Sequence, residues 1–150
     1  MRTKNKTLEI TNKDVSLIML ALTPLELGEK EASARRRFLK LIREAEEARK
    51  TKLTELQEKF VAKDTKGNKV IVENQYQFTP DKKKIFTKEV EKLREAVVEI
   101  SYDGNEQDLE VCIGILEDEV KKETEKANGK FTTDAYEYIE SLKEIIQSLK

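Results

Sequence analysis

Residues 29–62 read EKEASARRRFLKLIREAEEARKTKLTELQEKFVA. Phe38, Leu41, Ile42, Ala45, Leu53, Leu56 and Phe60 recur at steps of three, four or their sums. That spacing returns apolar side chains to one face every turn of a 3.6-residue helix. No glycine or proline interrupts it, so the stretch predicts one long amphipathic helix over roughly 29–62. Arg49 and Lys52 lie on or near the stripe, and only Ala45 and Ala48 give small apolar surface there. In mid-helix the long cationic stems therefore snorkel, or the helix bends away from its partner.

Outward from this helix, the periods change. Upstream, TLEI (7–10) reads as a short strand, and Thr11 with Asp14 forms an acidic relative of a capping box. A helix follows over about 12–22, with Val15, Leu17, Ile18, Leu20 and Leu22 expected inside, until Pro24 and Gly28 break it. Downstream, Val70 and Val72 alternate about Ile71, and Tyr76 and Phe78 about Gln77. Period two on both sides of a turn at Glu73–Gln75 predicts a β-hairpin over 69–78. Thr79–Pro80 restarts a helix to about 95 with Phe86, Val90 and Leu93 on its face. VVEISY (97–102) reads as a third strand, expected to join the hairpin in a small antiparallel sheet. Helices over 106–126 (Leu109, Cys112, Ile113, Leu116, Val120) and 133–149 (Tyr136, Ile139, Leu142, Ile146, Leu149) complete the chain, parted by Asn128–Gly129. The fold class is α+β and predominantly helical, in a single domain over 1–150. The long helix is expected to pack against 80–95, 106–126 and 133–149.

Composition agrees with a helical fold coated in charge. Of 150 residues, 37 % are hydrophobic and 39 % charged, with a net charge of −1. The two signs are unevenly spread: residues 1–98 hold 23 Lys/Arg and 16 Asp/Glu, whereas 99–150 hold 6 and 14. Such a split fits complementary halves, or a bipolar surface that steers a charged partner. Cys112 is the one cysteine, and the apolar run VSLIMLAL is too short to span a bilayer. These features lead us to expect a soluble protein in a reducing cytoplasm, without a membrane partner.

The residue types for common catalysis are sparse. There is no histidine, which removes the usual general base near neutral pH and the commonest zinc ligand. Cys112 falls on an apolar helix face and reads as a small buried hydrophobe. Glu119 and Glu123, four apart, share a helix face where an oxygen-ligated magnesium ion can be imagined, but a solvated surface is the simpler reading. No phosphate-binding glycine loop and no catalytic serine motif occurs. We expect no enzyme, no cofactor, no metal and no catalytic residues.

The candidate binding residues are basic. Arg35, Arg36, Arg37, Lys40 and Arg43 crowd the first half of the long helix, and Arg36, Lys40, Arg43 and Lys50 fall along one outward face. Such a face can track phosphates, by paired guanidinium contacts and in a salt-dependent way. It lacks the interleaved aromatics that stack on single-stranded bases. Equally, Glu44 with Lys40, Glu47 with Arg43 and Glu46 with Lys50 can pair along the helix and leave a solvated face. A protein-binding surface is the third reading. Tyr76, between Gln75 and Gln77, either anchors a partner or packs with Phe78.

The order of segments SARRRFLKLIRE, KFVAKDTKGN, VIVENQYQF, FTKEVEKLREAVVEI and KFTTDAYEYIESL resembles an uncharacterised family of small proteins from tailed bacteriophages and prophages of Gram-positive bacteria. The resemblance covers roughly residues 25–149 and carries no functional residues over. It implies a phage protein made in the host cytoplasm. The leading expectation is an accessory protein that binds a host or phage protein, for example inhibiting a host defence factor. The alternatives are a module for an anionic ligand, such as nucleic acid or a sequestered nucleotide, and a minor virion or assembly component. A homodimer through the long helix is also left open.

Overall fold

A computed structural model describes residues 6–150. In chain order the elements are β1 (Thr7–Thr11), α1 (Asn12–Leu22), α2 (Glu29–Phe60), β2 (Ile71–Val72), β3 (Gln75–Tyr76), α3 (Pro80–Glu95), β4 (Val97–Ser101), α4 (Glu106–Ala127) and α5 (Thr133–Leu149). The fold is predominantly helical α+β, as the periodicities predict.

Local chemistry sets the boundaries. Thr11, Thr79 and Thr132 each cap a helix by accepting a hydrogen bond from the backbone N–H three residues on, at 3.1, 3.4 and 3.1 Å. Pro80 stands at the start of α3, where a missing N–H leaves no bond unmade. Asn128 (φ 50°) and Gly129 (φ 80°) turn left-handed and end α4. The β2–β3 turn is shorter than the sequence suggested. Glu73 (φ 50°) and Asn74 (φ 64°) alone form it, and positive φ at both central residues matches the twist of a two-residue hairpin.

The strands pair differently from expectation. β4 joins β1, not the hairpin, with Leu8 opposite Ile100 and Thr11 opposite Val97. β2–β3 is a separate two-stranded sheet, extended by the chain at Ala62 and Lys63: Ala62 N–H donates to Gln77 at 2.7 Å and Val70 N–H to Ala62 at 2.8 Å.

One core gathers Leu8 and Ile10, Val15, Ile18 and Leu22, Phe38, Leu39 and Ile42, Leu109, Cys112 and Leu116, and Leu142, Ile145 and Leu149. α2 packs on α1, α3 and α4, whereas α5 reaches the core through α4 and β1 rather than through α2. Two expected core residues point outward. Leu20 is 71 % exposed and Tyr136 53 %.

α2 belongs to two regions. It is 32 residues long, about 48 Å at about 1.5 Å per residue. Its buried positions end at Glu46. From 47 to 97, Val61 is the only buried residue, and α3 buries none completely. The second half of α2, the hairpin and α3 thus form an arm, roughly 20–25 Å long by the same rise, attached to a body that holds the core.

Candidate interaction surfaces

Successive residues on a helix point about 100° apart. The three arginines 35–37 therefore take three directions. Arg35 turns toward α1 and donates to the carbonyl oxygens of Leu22, at 2.9 Å, and Leu25. It thereby ties α2 to the end of α1 and the loop that follows, where carbonyls run out of helical partners; the Leu22 oxygen also accepts from the Leu25 N–H at 3.4 Å. Arg37 turns the other way, toward α4. Its Nε lies 3.0 and 3.1 Å from the two oxygens of Asp108, and its Nη2 2.9 Å from Oδ1. Asp108 is buried and also accepts from Asn105 Nδ2 at 2.9 Å. The hydrogen bonds from Arg37, more than those from Asn105, hold its carboxyl below the ordinary range against the opposing effect of burial.

Arg36, between them, is exposed, and so are Lys40 and Arg43. None of the three has a carboxylate partner among the described residues. The pairs expected along the helix, Glu44 with Lys40, Glu47 with Arg43 and Glu46 with Lys50, are likewise not formed among the described residues. Glu46 instead accepts from Arg49 Nη2 at 2.6 Å and from Ser16 Oγ of α1 at 2.9 Å. Burial alone would raise the Glu46 carboxyl, but the hydrogen bonds from Arg49 and Ser16 outweigh it, and its pKa lies below the ordinary value. Of the five basic residues singled out from the sequence, two tie the fold together and three form a free cationic stripe.

Tyr76 is half-buried in the hairpin, opposite Ile71. The aromatic partner of Phe78 is Phe86 of α3, 4.6 Å away between ring centres. Around these residues the arm exposes Ile71, Val72 and Ile85.

Possible reactive groups are held in unreactive settings. Cys112 is fully buried, and its thiol is pushed up to about 12 by burial, so the thiolate is scarce near neutral pH. Burial first, and Glu123 second, raise the Glu119 carboxyl. Among the described residues no cluster of three or more acidic or cysteine side chains is placed to hold a metal ion. No helix among them is long and apolar enough to cross a membrane.

Sequence reasoning missed a surface around Leu20. This side chain stands between two hollows, of about 390 and 530 Å³, that share Ser16, Leu20 and Arg49. Its angle held the signal: Leu20 is two residues, about 200°, from Ile18 on the buried stripe.

The chain matches no family model, no curated protein and no solved structure.

Proposed function

We propose that this protein acts by binding another protein and not by catalysis. The observation that carries this reading is the arm. Its 47–97 segment contributes no side chain to the shared core, yet it presents Ile71, Val72 and Ile85 to water. Residues 47–95 hold 13 Lys/Arg against 9 Asp/Glu, so those apolar side chains sit in a net positive setting. Apolar anchors within a charged rim are the usual make-up of a protein interface. The resemblance to small phage proteins supplies the expected setting: a host or phage protein, for instance a host defence component that binding would block.

A second reading rests on Arg36, Lys40 and Arg43. Three free cations at positions i, i+4 and i+7 suit an anionic ligand. It is the weaker reading, because Arg35 and Arg37, two of the five basic side chains, are already engaged within the fold.

Affinity capture of the tagged protein from Gram-positive host lysate, with and without nuclease, tests both readings. The first expects one stoichiometric protein in both halves, lost with Ile71→Glu plus Val72→Glu and kept with Arg36→Ala plus Arg43→Ala. The second expects nuclease-sensitive or salt-sensitive retention with the opposite response to those variants.

A further inference from the structure

We propose that the surface around Leu20 is a socket for a second copy of this chain, filled by the aromatic turn between α4 and α5. The proposal concerns a different surface from the Ile71, Val72 and Ile85 patch and stands without it.

The socket lies where α1 meets α2, α3 and α5. Leu17, Met19, Leu20 and Pro24 give it an apolar floor. Its charged lining is nearly all positive: Lys13, Lys50 and Arg94. Arg94 also reaches Glu91 on its own helix, at 3.6 Å. Glu46, the one acidic residue lining either hollow, is already occupied by Arg49 and Ser16. The occupant must therefore bring apolar atoms to the centre and negative charge to the edge. A phosphate backbone offers no apolar side chain for Leu20 to cover.

The chain carries a feature of that description. Phe131 and Tyr136 are 41 and 53 % exposed, with ring centres 5.8 Å apart in an edge-on pair. Residues 131–140 include Asp134, Glu137 and Glu140 and no cation. Lys130 and Lys143 flank the stretch, and Lys143 reaches Glu140 at 3.3 Å, which leaves Asp134 and Glu137 as its free acidic groups among the described residues. Of the other exposed apolar side chains, Ile71, Val72 and Ile85 lie on the positive arm and would meet the socket with like charge, and Val97 is a single small side chain at the start of β4. The knob joins two exposed rings to acidic neighbours, the complementary sign. With a net charge of −1, two copies carry almost no overall repulsion to oppose that local attraction. Knob and socket are different patches, so two copies can satisfy each other reciprocally, or extend into a chain of copies if the geometry does not close.

Sedimentation or light-scattering mass of the full chain, at about 10 and about 300 µM protein, tests this. Self-association that rises with concentration and weakens between about 50 and about 500 mM NaCl is expected. Leu20→Glu and Tyr136→Ala should each raise the dissociation constant by at least about 30-fold. Leu20 and Tyr136 are exposed, so both variants should fold, and circular dichroism checks that they do. Mixing the two variants should restore association, since one keeps its knob and the other its socket. A monomer at the higher concentration in low salt overturns the proposal. So does association that survives Leu20→Glu, that fails to return on mixing, or that is lost instead with Ile71→Glu.

Discussion

The two halves of α2 carry similar residue types into different surroundings. In the body, Phe38, Leu39 and Ile42 are enclosed by α1, α4 and the β1–β4 sheet. In the arm, Leu53, Leu56 and Phe60 are only half-buried. Helical periodicity is thus equally clear where a helix enters a core and where it forms one side of a two-helix arm. What differs is how many neighbours a side chain meets, and that number sets the energy of each contact.

The largest expected effect separates the halves directly. Phe38→Ala should cost about 3–5 kcal/mol, because a fully enclosed ring leaves a cavity that close-packed neighbours cannot fill. Phe86→Ala, on half-buried α3, should cost only about 1–2 kcal/mol, in the ordinary range for such positions. Urea unfolding of both variants measures the difference. Equal losses would mean that arm and body share one packing environment, and the division would fail.

A smaller effect is expected where the arm is clasped to the body. Asn12 is buried at the start of α1; its Nδ2 donates to the Leu93 carbonyl at 2.8 Å and its N–H to that of Ala96 at 3.0 Å. Both acceptors lie at the end of α3. Asn12→Ala removes only the side-chain bond, and an acceptor left without its donor costs about 1–3 kcal/mol. Hydrogen exchange should then quicken through α3 and the hairpin, while α4 and α5 keep their protection. Uniform acceleration across the chain would show that the arm opens only when the whole molecule unfolds.

The same contrast explains how far the sequence could be read. Elements are local events, and Thr11, Thr79–Pro80, Thr132 and Asn128–Gly129 mark their ends within a few residues. Pairing is not local. Period two identifies 97–101 as a strand, but nothing in it distinguishes the nearby hairpin from β1, some ninety residues earlier. The basic stripe divided in the same way. Helical angle alone placed Arg36, Lys40 and Arg43 outward. The partners of Arg35 and Arg37 lie on α1 with its following loop and on α4, beyond what helix spacing can report. Leu20 was legible and misread, because a run of six apolar residues, 17–22, hid which of them lay off the stripe.

The smallest expected effect lies at the seam between the halves, and it depends on pH. Glu46 is the last buried position on α2, held by Ser16 from α1 and by Arg49 from the first turn of the arm. Its folded pKa is depressed below the ordinary value of 4.5, so the folded state favours the carboxylate more than the unfolded chain does. The stability this adds is complete above about pH 5 and is lost as pH falls through the folded value. Asp108, depressed chiefly by Arg37, has the same sign and adds to the acid sensitivity of the body. Glu46→Gln removes one titrating group and leaves the other. Its melting temperature should lie about 2–4 °C below that of the parent protein at neutral pH, and the gap should narrow toward pH 3. An unchanged gap across that range would mean that Glu46 stabilises the seam through packing and neutral hydrogen bonds, with its charge contributing nothing.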